Sequence, residues 1–215
     1  MNDHKILIID YRVGNHQSVL NALKCLGYNF LSSARKEDIE KADVYILPGV
    51  GAFAEAMKNL EQLDVVKTLT EQVLEKKKPI LGICLGMQVL SERSQEYGPH
   101  RGLGWIKGEV VRIDTNNKNF KVPHVGWNDI KIVKKDPLFT KLDGAPNFYF
   151  DHSYHFVCDD SFVSSKCYHG IDMVASLQKD NIFGVQFHPE KSQNNGLKFF
   201  RSFFNYIENN KPVKC

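Results

Sequence analysis

Ile80-Leu81-Gly82-Ile83-Cys84-Leu85-Gly86-Met87-Gln88 reads as a short buried strand that breaks at a cysteine and restarts as a helix. Glycines stand two residues before and two residues after the cysteine. They remove side chains that would crowd such a corner, as in the strand-to-helix elbow of serine hydrolases. A cysteine at this corner has its sulfur in the open and at the positive end of a helix. Both effects favour the thiolate, the nucleophilic form. The stretch therefore predicts covalent catalysis by Cys84.

Outward from this elbow, the N-terminal half alternates strand and helix. Lys5 to Asp10 and Val44 to Leu47 are continuous apolar runs, as expected of strands buried on both faces. Between them Val19, Leu20, Leu23 and Leu26 recur at helical spacing, and Gly27 stops that helix. A helix is expected after Gly51, another carries Val66, Leu69 and Val73, and Pro79 introduces the strand leading to Cys84. Such alternation predicts a parallel sheet with helices on both sides. After about Ser94 the pattern changes to short strands: Glu109 to Ile113, Ile130 to Val133, Asn147 to Phe150, Val174 to Leu177 and Ile182 to Gln186. Asp114 to Lys121 reads as a polar hairpin or loop. Leu197, Phe200, Phe203, Phe204 and Ile207 mark a closing amphipathic helix. The expectation is one α/β domain over residues 1–215, with a mixed, mostly parallel central sheet, flanking helices and additional antiparallel strands.

Bulk properties narrow the function. The 215 residues suffice for one good-sized core. Twenty-eight basic against 25 acidic residues give a net charge of +3, too balanced for a general nucleic-acid surface. No apolar stretch is long enough to span a bilayer, and Met1-Asn2-Asp3-His4-Lys5 does not read as a signal peptide. The five cysteines are odd in number and lack paired spacing, which points to reduced thiols in a cytoplasmic protein, with Cys215 read as a frayed end.

In a parallel sheet, sites gather at the carboxyl ends of strands. Three loops there carry chemistry. The first holds Cys84. The second, Pro48-Gly49-Val50-Gly51-Ala52-Phe53, has glycines that let backbone N–H groups turn toward a ligand, as an oxyanion site requires. The third is Gln186-Phe187-His188-Pro189-Glu190. In extended chain His188 and Glu190 point the same way, and Pro189 favours that form. An imidazole with a carboxylate beside it is an oriented general base.

Gly82 to Gln88 together with His188-Pro189-Glu190 resembles the class I, or triad, glutamine amidotransferases. Asp10-Tyr11-Arg12-Val13-Gly14-Asn15, the Pro48 to Phe53 loop, Gly102-Leu103-Gly104-Trp105, Val122 to Asn128 and His152-Ser153-Tyr154-His155 narrow the likeness. It becomes that of the glutaminase subunits of imidazole glycerol phosphate synthase or a close paralogue. The resemblance implies that Cys84 attacks the side-chain amide of L-glutamine and that His188 moves protons while Glu190 orients it. Backbone N–H groups near Val50 and Leu85 hold the oxyanion. Gly51, Gln88, Ser153 and Tyr154 match positions that hold glutamine. A peptide flip at Pro48 to Gly51, gated by the partner's ligand, would switch the site. No cofactor and no metal are implied. The chain carries no acceptor domain, with neither GxGxxG nor a Walker loop, so ammonia must pass to a separate chain. In the family that chain is a (β/α)8-barrel cyclase, giving a heterodimer in histidine biosynthesis with hydrolase and lyase steps. Asn15, Trp127, Tyr149 and the loop Gln193 to Asn195 would form the docking surface.

Three positions depart from the family pattern near that surface. Arg12 stands where glycine is common, Asp151 where an apolar residue is usual, and Gln193-Asn194-Asn195 lacks a lysine. They leave open a paralogue that feeds a sugar-amidating enzyme of surface polysaccharide synthesis. A non-catalytic regulatory subunit and a stand-alone hydrolase of γ-glutamyl compounds are the other readings. Blander roles suit other residues. His152 and His155 lack the partners of a four-ligand metal site. His124 reads as structural or interfacial. Lys76-Lys77-Lys78 reads as a solvated helix end, and Cys158 and Cys167 as packing in strand-like segments.

Overall fold

The computed structural model describes residues 4–13, 16–115 and 119–210. The first half runs β1 (Ile6–Ile9), α1 (His16–Cys25), β2 (Phe30–Ser33), α2 (Lys36–Lys41), β3 (Val44–Gly49), α3 (Phe53–Gln62) and α4 (Val65–Thr70). A π-turn over Glu71–Glu75 extends α4, and β4 (Ile80–Cys84) and α5 (Leu85–Gln88) follow. The second half holds β5 (Arg93–Ser94), β6 (His100–Arg101), β7 (Gly108–Arg112), β8 (His124–Ile132), β9 (Asn147–His152), β10 (Tyr154–Cys158), β11 (Val163–Tyr168), β12 (Asp172–Lys179) and β13 (Ile182–Val185). A 3-10 turn over Pro189–Lys191 leads into α6 (Gln193–Asn209).

Among the described residues nine strands form one sheet in the order β2-β1-β3-β4-β13-β12-β11-β8-β9. From β2 to β13 the neighbours are parallel. From β13 to β9 they are antiparallel. A smaller sheet has the order β10-β7-β5-β6. The expected mixed sheet with flanking helices is therefore present, and the antiparallel strands β12, β11, β8 and β9 prolong it. β4 sits near the middle, paired with β3 on one side and β13 on the other. The strand that delivers Cys84 is thus held from both edges.

Alternation along the strands divides the core in two. Ile6, Ile8, Ile46, Leu81 and Ile83 face Val19 and Leu23 of α1 and Phe199, Phe200 and Phe203 of α6. Leu7, Ile9, Tyr45, Leu47 and Ile80 face Phe53 and Leu60 of α3, Leu69 of α4 and Val73. Both faces are covered, which is why these strands read as unbroken apolar runs. Each fully buried aromatic of α6 contributes about 1.5–3 kcal/mol relative to exposure.

Local differences from the sequence expectations have physical reasons. β2 is an edge strand with no fully buried residue, and α2 buries Ile39 alone, so neither carries a periodic signal. β8 starts six residues before Ile130, because its face alternates buried and exposed positions through His124 to Asn128. Gln193 to Asn195 is the first turn of α6, not a loop. Asn195 anchors that turn by donating from Nδ2 to the Asn147 carbonyl at 3.0 Å. Asn15, Cys215 and the middle of the Asp114 to Lys121 segment lie outside the described residues.

Candidate active site

The corner at Cys84 is made by packing as well as by sequence. Cys84, the last residue of β4 and the N-cap of α5, has φ 54 and ψ −110. A Cβ on Gly86 would lie 1.7 Å from the Leu47 carbonyl oxygen, and one on Gly82 would lie 2.6 Å from the Gly86 oxygen. Only glycine lets α5 turn back this tightly over β3 and β4. The result is a four-residue helix whose Gly86 nitrogen stands beside Gly49 at the end of β3.

A cavity of about 610 Å³ opens over this corner. Val50, Gly51, Cys84, Leu85, Gln88, Ser153 and Tyr154 line it, as do Asp151 and His152. Thus the elements expected to carry nucleophile, oxyanion donors and glutamine contacts converge on one space. Sequence reading missed Glu96, Tyr97 and Arg112, which also line it. Glu96 is fixed from behind, its Oε2 accepting from the Phe53 backbone N–H at 2.6 Å.

His188 and Glu190 lie behind the cavity, with side chains 2% and 3% exposed. His188 Nδ1 bonds Glu190 Oε1 at 2.7 Å. The contact is not made in extended chain as expected. Pro189 opens a 3-10 turn, and that turn carries Glu190 back onto the ring. The backbone N–H of His188 donates to the Tyr149 carbonyl at 2.8 Å, and its carbonyl accepts from Ser192 Oγ at 2.6 Å. Both ties fix the imidazole. Its Nε2 is buried and, among the described residues, has no hydrogen-bond partner of good geometry. Burial works to lower the His188 pKa, but the facing Cys84 sulfur and the Glu190 carboxylate outweigh it and push it up to about 10. The imidazole is then held protonated at neutral pH, facing the sulfur.

Cys158 and Cys167 are unsuited to attack: burial pushes Cys158 up to about 11 and Cys167 up to about 12, and neither lines the cavity. Cys25 is exposed and also lies away from the cavity lining. His124 and His152 are paired with each other, Nδ1 to Nε2 at 3.0 Å, in the wall between β8 and β9. Burial, first, lowers His124 to about 4 and His152 to about 3, so both are neutral at pH 7. Among the described residues no group of three or more His, Cys, Asp or Glu could hold a metal ion. Trp127 is 44% exposed and meets the half-buried Tyr149 edge to face, with ring centroids 6.2 Å apart. Tyr149 of this aromatic patch lies on β9 and supplies the carbonyl that holds His188. Arg12 sits at φ 64, a conformation glycine adopts without strain.

The family model "Glutamine amidotransferase class-I" matches residues 7–206. The chain is 53% identical over 199 residues to "Imidazole glycerol phosphate synthase subunit HisH 1" of Campylobacter jejuni subsp. jejuni serotype O:23/36 (strain 81-176), covering 92% of this chain and 98% of that one. It is 47% identical over 205 residues to "Imidazole glycerol phosphate synthase subunit HisH 2" of Vibrio vulnificus (strain YJ016), covering 95% of each. A solved structure titled "Crystal structure of glutamine amidotransferase" superposes with a TM-score of 0.74 at 18% identity, covering 94% of this chain and 98% of that one. That likeness concerns the fold, whereas the family model and the two relatives extend to sequence. The chain belongs to the class I glutamine amidotransferases.

Proposed function

We propose that this chain is the glutaminase subunit of imidazole glycerol phosphate synthase in histidine biosynthesis. It hydrolyses L-glutamine and passes the ammonia to a separate cyclase subunit. The observation that carries the chemistry is the Glu190-oriented His188, with its open Nε2 facing Cys84 at the floor of the cavity. The Cys84 sulfur attacks the side-chain carbonyl carbon of glutamine, and its proton is held at His188 Nε2. The backbone N–H groups of Val50 and Leu85 take the developing oxyanion, a contribution of roughly a hundred- to a thousandfold per donor. His188 returns the proton to the leaving nitrogen, ammonia departs, and a thioester remains. Water, activated by the same imidazole, then releases glutamate and frees the sulfur.

Substrate contacts come from Gly51, Gln88, Ser153 and Tyr154, which all line the cavity. Glu96 and Arg112 add one charge of each sign there. An α-amino acid, with its ammonium and carboxylate, calls for that combination. The lyase step belongs to the acceptor subunit, and this chain's own reaction is hydrolysis. Residues 1–215 act as one amidotransferase domain. The partner, a (β/α)8-barrel cyclase, docks over Trp127 and Tyr149 to make a heterodimer in the cytoplasm. Among the described residues no helix is long and apolar enough to cross a membrane.

The test is glutamate release by the purified chain, alone and with a histidine-pathway cyclase subunit and its ribonucleotide ligand. Strong stimulation by subunit plus ligand, abolished by Cys84→Ala, supports the assignment. Silence with that partner, alongside labelling of Cys84 by a glutamine-analogue electrophile, points instead to a glutaminase for another acceptor.

A further inference from the structure

The Cys84 sulfur has a second polar neighbour, and it comes from the residue just beyond β13. Gln186, fully buried, places Nε2 3.6 Å from Sγ. The direction of that contact is set from the far end of a buried chain of hydrogen bonds. The Tyr154 carbonyl can only accept. It accepts from Gln88 Nε2 at 2.9 Å, and His152 Nδ1 lies 2.9 Å from the same oxygen. Gln88 must therefore present its nitrogen at that point. The same nitrogen lies 3.0 Å from Gln186 Oε1. Turning the Gln186 amide over would set two NH2 groups against each other, so its own N–H is left facing the sulfur.

The chain continues the other way without ambiguity. His152 donates from Nδ1 to the carbonyl, so its Nε2 accepts, and His124 Nδ1 donates to it. His124 Nε2 then accepts from Asn128 Nδ2 at 3.1 Å, and that nitrogen also donates to the Tyr168 carbonyl at 2.9 Å. The two histidines are neutral, which this arrangement requires. Every polar atom on the path has a single permitted role.

We propose that Gln186 is a positioning residue for the nucleophile: the Tyr154 carbonyl, acting through Gln88, locks its side-chain amide so that an N–H is aimed at the Cys84 sulfur. The proposal rests on the reading of Cys84 as nucleophile. As a thiol, Cys84 donates to the Asp151 carbonyl at 3.9 Å and accepts from Gln186. As a thiolate it keeps the Gln186 donor, which both stabilises the anion and restrains the sulfur under the cavity floor. The same bonds also occupy both N–H groups of Gln88, so that residue meets a ligand only through Oε1.

The test is the rate of Cys84 alkylation by iodoacetamide as a function of pH in the full chain. Gln186→Met keeps the bulk and removes the donor. A hydrogen bond to a charged acceptor is worth roughly a ten- to hundredfold change in equilibrium, so the midpoint should move up by about one to two pH units while the high-pH plateau holds. A folded variant whose midpoint stays with the parent's overturns the proposal, because loss of packing alone would not move it. A second measurement needs no change at Gln186. In the parent, the Gln186 side-chain amide proton should shift in NMR with the same midpoint as alkylation, and lose that titration in Cys84→Ala. A resonance indifferent to Cys84 overturns the proposal even if Gln186→Met does not fold. Failure of a glutamine-analogue electrophile to label the parent's Cys84 defeats the functional reading instead.

Discussion

Replacing Gly86 by alanine would place a methyl group 1.7 Å from the Leu47 carbonyl oxygen and 2.7 Å from its carbon. Gly86 does not occupy the left-handed region, so the obstacle is space alone. Helix propensity would even favour alanine by about 1 kcal/mol. The clash is with backbone of β3, which is paired to β1 and β4 and cannot retreat cheaply. Ordinary van der Waals separation therefore needs a shift of about 1.5 Å or more, taken up by α5. Overpacking of this kind costs about 1–3 kcal/mol, and a rigid backbone neighbour puts Gly86→Ala at the upper end. The same shift moves Leu85 and Cys84 away from Val50, and misplacement by about 1 Å can cost about a hundredfold in rate. Urea unfolding and partner-stimulated glutamate release measure the two effects separately. A variant with unchanged stability and activity within about threefold of the parent would refute the packing argument.

Glu190→Gln should lower kcat by about a hundred- to ten-thousandfold with little change in KM, since it removes the group that orients the imidazole. It should also flatten the alkaline limb of stability. His188 is raised, so its contribution is present below 6.5 and lost as pH rises through about 10. Unaltered alkaline stability in the variant would count against that coupling. His124 and His152 act with the opposite sign. Their folded values of about 4 and about 3 lie below 6.5, so the unfolded chain alone takes up protons as pH falls from 6.5. Stability should drop by up to about 1.4 kcal/mol per pH unit for each, and His152→Gln should make the drop shallower. Parallel curves for parent and variant would exclude the pair as a source of acid lability. Tyr11 buries its hydroxyl against Gly49 with no hydrogen-bond partner among the described residues. Tyr11→Phe should then be neutral or stabilising by about 1 kcal/mol in urea unfolding, and a loss of that size would mean the hydroxyl has a partner.

The strands and the Cys84 elbow were legible because their causes are local. Continuous apolar runs mark strands covered on both faces, and paired glycines mark a helix folded tightly over a sheet. β2 and α2 escaped notice because each buries too little to impose a period. The His188–Glu190 contact was legible as a pair, yet its geometry was not, since a 3-10 turn serves where an extended strand was expected. Asn-Asn-Gly after Gln193 reads as a turn by composition, but the Asn195 bond to β9 draws it into α6. Glu96 and Arg112 stand in segments with no motif, and only the fold brings them to the cavity. The Gln88–Gln186 bond joins residues 98 positions apart. Its meaning comes from which atoms are obligate acceptors, and only the fold brings those atoms together.

The central claim is that Cys84, with its proton held by a Glu190-oriented His188, attacks glutamine. Intact-mass and peptide mapping after treatment with a glutamine-analogue electrophile tests it most directly. The account predicts one adduct per chain on Cys84, slowed by L-glutamine and strongly slowed in His188→Asn. An adduct on Cys25, Cys158 or Cys167, or equal labelling of Cys84 with and without His188, would contradict it.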